Sequence, residues 1–337
     1  MPSFCRHNRL LQNCPICTRE QAVDMRPVVS SGTAKASEPR PAREASRGET
    51  RARSATSSRS SARLAHGGMR VRRLARGEDD GFRTALAPGL RSSADAERLA
   101  DELAFAAGRL AVLETEPPGL YAEVADGAGD VEERAWLAFQ IAYLSPLEDA
   151  EQPFAGIDAV RTSWASGALP ELGGVRLGPR TAHEPARGDE TLRAYRAWAS
   201  RAGSQGDAFA GEAAWTPERR FDRVFERLAL PGLGRDARYE LLVSLGRLGV
   251  FKLRGGRLHL VGENEPTVAA KRVFGIGDAM LLERRAAELA AACRVPVEAL
   301  DLGLFNWGVG VRAHSGLAGD EAVDGALVES CREALGL

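Results

Sequence analysis

Leu230-Pro231-Gly232-Leu233-Gly234-Arg235 separates two amphipathic runs, 217–228 and 236–248. No other stretch limits the fold so tightly. Proline fixes one backbone angle, and the two glycines let the chain turn with φ > 0. Two short helices must therefore meet at a sharp corner, the pattern of a helix-hairpin-helix. The first amides of the second helix have no partner inside it and point outward, where an anion can dock. Arg235 and Arg238 follow at once, so the expected anion is a DNA phosphate, held by Gly232, Gly234, Arg235 and Arg238. A plain tight turn in a helical bundle would use the same residue types.

Charge distribution favours the nucleic-acid reading. The net charge is −1, but residues 78–216 carry about −12 and residues 217–272 about +5. The turn thus sits in a basic island within an acidic body, and a polyanion is drawn to such an island. With 337 residues, 44% of them apolar, the chain has material for one large or two ordinary domains. Five cysteines, unevenly spaced, do not read as a disulfide framework. The sequence holds no apolar run of membrane-spanning length and opens on no charged-then-apolar leader, so a cytoplasmic protein with no membrane partner is expected.

Three of the five cysteines fall in the first seventeen residues, in Phe4-Cys5-Arg6-His7 and Asn13-Cys14-Pro15-Ile16-Cys17. Cys5, His7, Cys14 and Cys17 supply two thiolates in a Cys-x-x-Cys knuckle, a third thiolate and an imidazole. That donor set suits a tetrahedral structural zinc, Zn being what would order so short a segment. An iron–sulfur cluster or a redox knuckle is the rival. Residues 18–80 are rich in Arg, Ser and Ala with few apolar side chains, the composition of a disordered linker. Residues 81–337 form the expected body.

Within it, apolar periodicity predicts helices over 93–114, 131–144, 189–203, 217–230, 268–274 and 279–293, and one opening at 295–298 and running to Gly308. The helix at 131–144 has few polar positions and should be central. Cys293 and Cys331 read as small core residues. One β element is expected: residues 250–261 alternate apolar and polar around Gly255-Gly256, the pattern of a small β-hairpin with Lys252, Arg254, Arg257 and His259 on its wet face. A second Gly-apolar-Gly turn follows at Gly275-Ile276-Gly277. The fold class is mainly α, with one small β-hairpin and the N-terminal zinc knuckle.

From Pro217 to Gly308 the order of features resembles helix-hairpin-helix DNA glycosylases of the endonuclease III type: Leu-Pro-Gly-x-Gly-Arg, a helix, Lys271-Arg272-Val273, a second turn and a terminal helix with Phe305-Asn306. The chain more closely resembles the family called alpha-glutamyl/putrescinyl thymine pyrophosphorylase, clade 3. The shared residues are Phe4-Cys5-Arg6-His7-Asn8-Arg9 with Cys14-Pro15-x-Cys17, Tyr143-Leu144-Ser145-Pro146-Leu147, Lys271-Arg272-Val273-Phe274-Gly275-Ile276-Gly277-Asp278 and Leu304-Phe305-Asn306-Trp307. This resemblance implies a glycosylase-like helical domain that flips a base out of DNA. It also implies displacement of pyrophosphate from a 5-(pyrophosphoryloxymethyl)uracil in DNA by an amine or amino-acid co-substrate.

Two departures stand out. Lyase glycosylases carry Lys where this chain has Asp236, and a catalytic Asp where it has Thr267. Ordinary base-excision machinery is therefore not visible. Pyrophosphate displacement needs cations for the leaving group and a base for the amine. Lys271, Arg272 and Arg238 are the candidate cations; Glu265, Asp278 and Glu263 are the candidate bases. Asp278 is equally placed to cap the helix after Gly277. Lys271, Glu265 and Asp278 are thus the expected catalytic set, with Arg272 joining the DNA contacts. Two alternatives remain open: a non-catalytic DNA-binding module on the same scaffold, and a base-excision glycosylase with relocated catalytic groups.

Overall fold

The computed structural model describes residues 77–148, 151–317 and 323–337. The four candidate zinc ligands and nearly all of the linker lie outside the described residues. Among the described residues the chain forms twelve helices and no strand. None is long and apolar enough to cross a membrane.

Helix α1 (Ser93–Thr115) starts where the Ser92 hydroxyl accepts from the Asp95 amide and turns Leu99, Leu103, Ala106, Leu110 and Leu113 inward. The short α2 (Leu120–Ala125) leads into α3 (Val131–Leu144), capped by Asp130. The expected central character of α3 holds, since Ala135, Trp136 and every residue from Ala138 to Leu144 are buried. Its aromatic face carries much of the packing: Phe139 stacks on Tyr195 with ring centroids 3.8 Å apart, and Trp136 lies beside both. Tyr195 comes from α5 (Gly188–Ala202), which follows the one-turn α4 (Ala155–Asp158) and a long loop.

Helices α6 (Gln205–Ala210), α7 (Pro217–Arg227) and α8 (Arg235–Arg247) bring the chain to the glycine turn and past it, and α8 packs on α3. Then come α9 (Glu265–Phe274), α10 (Ala279–Cys293), α11 (Ala299–Val309) and α12 (Gly325–Leu335). Helix α11 is apolar nearly all round and buried along its whole length, as such a pattern requires. It packs closely against α1 because Gly303 faces Leu103, where a Cβ would come within 2.8 Å of a Leu103 methyl. Cys293 and Cys331 are fully buried between helices, as expected.

The expected β-hairpin at 250–261 is not there. The alternation did mark the buried side chains correctly: Leu253, Leu258 and Leu260 are all in the core. The backbone amides, however, go to carboxylates instead of a partner strand. Glu283 of α10 accepts from the Leu258 amide at 2.7 Å and the Leu260 amide at 2.6 Å. Glu298, just before α11, accepts from the Gly255 amide at 2.7 Å. With those donors taken, no ladder forms. His259 takes a left-handed φ of 55° and is not on a wet face. Its ring stacks on Phe225 at 4.0 Å and reaches Asp222 at 2.9 Å.

Candidate functional site

The turn between α7 and α8 is shaped by what it touches. Gly232 has φ +74°, and a Cβ there would come within 2.0 Å of the Thr191 hydroxyl on α5, so only glycine fits. Leu233 is buried and anchors the turn. Gly234 then caps α8 in an extended conformation without a side-chain bond. It is exposed, with nothing within 4 Å of where a Cβ would sit. The amide end of α8 is therefore open at Gly234. Arg238, one turn in, is half-buried. Its guanidinium lies over the Phe225 ring at 4.4 Å and donates to the Phe225 carbonyl at 3.2 Å. Burial, helped by the charge of Arg235, pulls its pKa below the ordinary value.

Arg235 requires a correction. Far from offering its guanidinium to a phosphate, it points into the protein with only 6% of its surface exposed. The guanidinium donates to Asp301 and to the Leu258 carbonyl, reaches Asp236 at 3.1 Å, and lies 4.5 Å over the Tyr239 ring. Asp301 is on the fully buried α11, and a buried carboxylate must find cations.

That pair belongs to a ladder of alternating charges through the core. Arg109 of α1 donates to Glu240 of α8 at 2.5 Å. Arg180 donates to Glu240 at 3.0 Å and to Asp301 at 2.5 Å. Arg235 continues from Asp301 to Asp236. Burial alone would raise the pKa of Glu240 and Asp301, but their arginine partners outweigh it and hold both carboxyls below the usual range. Asp236, at the open end, goes the other way. Burial raises its pKa, and Asp301 adds to the rise, against the pull of Arg235. Its side chain still keeps 24% of its surface. The ladder thus ends in one accessible carboxylate that holds its proton more tightly than an ordinary aspartate.

Asp236 and Glu240 line a cavity of about 10 Å³, room for roughly one water. Ser145, Pro146, Arg180 and Ser315 close it from three other segments. Ser145 ends α3 with φ 62°, and its hydroxyl accepts from the Arg180 amide at 3.4 Å. Ser315 also has a left-handed φ, of 50°. The arrangement combines a carboxylate with a raised pKa, two hydroxyls and a buried guanidinium beside an open helix N-terminus. It can take a proton from a bound nucleophile and steady a polar group next to it. Ser145, Arg180, Glu240 and Ser315 were not among the expected site residues. The only sequence signal for any of them was Tyr143-Leu144-Ser145-Pro146-Leu147.

The expected catalytic set is not gathered here. Lys271 donates from Nζ to the Gly262 carbonyl at 3.3 Å. Asp278 is exposed and caps α10, accepting from the Leu281 amide at 2.9 Å. Glu265 is the first residue of α9, half-buried, and lines neither the cavity nor the basin beside Lys271. Helix α9 packs on α11. Lys271 and Arg272 instead border a shallow basin of about 690 Å³ with Arg91 and Gly275, and Arg272 also lies 4.7 Å over the Trp307 ring. Trp307 is 2% exposed and donates to the Asp95 carbonyl at 2.9 Å, so it belongs to the core. Thr267 is buried, and its hydroxyl has no hydrogen-bond partner among the described residues. The same residues contain no cluster of His, Cys, Asp and Glu arranged to hold a metal ion.

No curated protein and no solved structure matches the chain. A family model does match, from residue 179 to residue 310. The match begins one residue before Arg180 and takes in the glycine turn, Asp236, Glu240, the segment that Glu283 binds, and all of α11. Over residues 179–310 the chain is similar to the family described as alpha-glutamyl/putrescinyl thymine pyrophosphorylase, clade 3.

Proposed function

We propose that this protein modifies a thymine-derived base in DNA, displacing pyrophosphate from a 5-(pyrophosphoryloxymethyl)uracil with an amine. One observation carries the reading. Asp236 lines a cavity next to the open amide end of α8, and its pKa is raised by burial. In this scheme the hairpin amides at Gly232 and Gly234 hold a DNA phosphate, with Arg238 beside them. The target base swings out toward the cavity. The amine nitrogen attacks the 5-methylene carbon, the carbon–oxygen bond breaks, and pyrophosphate leaves with the electron pair. The proton lost by the amine goes to Asp236, whose raised pKa makes it a better base than an ordinary aspartate. Lys271 and Arg272, with Arg91, form a second basic surface for the DNA strand or the departing pyrophosphate.

The cavity is water-sized, so a base enters only if Pro146, Arg180 or Ser315 moves aside. That small volume is what favours the second reading, a DNA-binding module without catalysis. A structural zinc on Cys5, His7, Cys14 and Cys17 is also proposed, on spacing alone. About one zinc per chain in the purified protein supports it, and iron or no metal overturns it.

The deciding experiment incubates the full chain with DNA carrying unmodified, hydroxymethylated or pyrophosphorylated uracil, with and without glutamate or putrescine. The nucleosides are then weighed. An amine adduct on the pyrophosphorylated substrate supports the proposal. Binding of all three DNAs with no new nucleoside supports the non-catalytic module.

A further inference from the structure

Beside the glycine turn lies a second cluster that the scheme above does not use. Thr191 of α5, which presses on Gly232, donates its hydroxyl proton to the Arg187 carbonyl at 3.3 Å and is close enough to the Tyr143 hydroxyl at the end of α3 to influence its pKa. That hydroxyl lies 3.2 Å from Nδ1 of His183. The Nδ1–Cε1 edge of the His183 ring abuts the first residue of α5: a Cβ on Gly188 would come within 2.3 Å of Cε1. The helix cap there, Arg187, makes no capping side-chain bond, and its guanidinium lies 3.5 Å from Glu190. Tyr143 is almost fully buried, whereas His183 is half-exposed. The imidazole thus touches Gly188, one helical turn before the Thr191 that presses on Gly232.

We infer that His183 is a proton-linked contact for the DNA backbone phosphate held at the glycine turn; this rests on the DNA-binding reading above. The Tyr143 hydroxyl makes both charge states of the ring workable. With the ring neutral, Tyr143 donates its proton to Nδ1. With the ring protonated, Nδ1–H donates to the Tyr143 oxygen, and the tyrosine proton swings to the Thr191 oxygen. No buried polar atom is stranded in either state, so the free energy of protonation is set by the ring's burial and by the charges nearby. These are Asp189 on α5, which favours the cation, and Glu184 and Arg187 on the ring's own loop; Tyr143 is the titratable group that α3 presents. Without DNA, burial keeps the ring neutral to a lower pH than usual. A phosphate brought in by the turn adds the missing counter-charge, and the ring takes up a proton as DNA binds.

The test is duplex affinity of the full chain from pH 8 to pH 5.5 at fixed ionic strength, read by anisotropy of a labelled oligonucleotide with unmodified bases. For wild type, affinity should rise as pH falls, by up to about tenfold per pH unit where the ring titrates, as uptake of one proton requires. His183→Gln should bind like wild type at pH 8 and lose that rise. Tyr143→Phe keeps the ring but removes the relay, and should move the rise to lower pH. The inference is overturned if His183→Gln follows the wild-type pH profile throughout, or weakens binding equally at every pH. If wild type binds no DNA at any pH, the reading of the turn as a DNA site fails along with it.

Discussion

Arg235, first residue of the helix that follows the glycine turn, is ion-paired with Asp301 in the first turn of the buried α11. The pair ties the turn to the centre of the molecule, and both side chains are nearly inaccessible, at 4% and 3%. Truncating one member leaves a buried charge short of a partner, Asp301 keeping only Arg180 and Arg235 only the part-exposed Asp236, which costs up to about 3–5 kcal/mol. Arg235→Ala and Asp301→Ala should each lower the denaturant midpoint by an amount of that order. An apolar double replacement, Arg235→Met with Asp301→Leu, should recover part of the loss. Equilibrium urea unfolding of the three variants checks this. A stability close to wild type in Arg235→Ala would contradict a structural role.

Arg238 is the cation left at the surface of the turn, one helical turn beyond Gly234. Arg238→Ala should weaken DNA binding and reduce the slope of log affinity against log salt by roughly one. Stability should change little, since the guanidinium is half-exposed and contributes one bond to the end of α7. A salt titration of binding, run beside a thermal melt, separates the two effects. An unchanged slope would remove Arg238 from the interface.

Much of the helical scaffold could be read from the sequence, because a 3.6-residue apolar period and a capping residue are local signals. The fate of Arg235 could not. Its partner Asp301 lies 66 residues on, and nothing in Gly234-Arg235-Asp236 says that the first turn of α8 rolls inward. The cavity was hidden for the same reason. Ser145, Arg180, Glu240 and Ser315 come from four separate segments, and spacing carries no trace of their meeting. Lys271, Glu265 and Asp278 are close in sequence, which invited a shared role, but Asp278 is spent on a cap. Residues 250–261 show the limit of alternation. It tells which side chains are buried, but not whether the amides between them meet a strand or a glutamate 25 residues away.

Glu283 holds that segment in place of a sheet, and the segment in turn offers the Leu258 carbonyl to Arg235. Glu283→Ala leaves two backbone amides without their acceptor, at about 1–3 kcal/mol for each one kept from water. The expected result is a destabilised protein in which the Leu258 and Leu260 amides exchange with deuterium much faster than those of α11. Glu283→Gln keeps an acceptor oxygen and should lie in between. If both variants exchange like wild type at those two amides, the carboxylate is not what holds the loop.

Asp236 gives the sharpest separation of function from folding, because its titration sets the two in opposition. Its pKa is raised in the folded protein, so folding favours the protonated form. In the window between the unfolded and folded values the native state binds more protons than the unfolded chain, and stability falls as pH rises through it. Above that window the ionised carboxylate is a burden on the fold. Asp236→Asn removes the burden while keeping the size, so at neutral pH the variant should be as stable as wild type or more so. As the proposed base it should at the same time lose most of the amine transfer, by about 10²–10⁴-fold, the usual contribution of a positioned general base. Wild-type activity should fall as pH drops through the Asp236 pKa, at a higher pH than an ordinary aspartate would give. Thermal melts at pH 7 and a pH–rate profile of adduct formation test both halves. Full activity in Asp236→Asn, or a loss of stability matching the loss of activity, would rule out its role as the base.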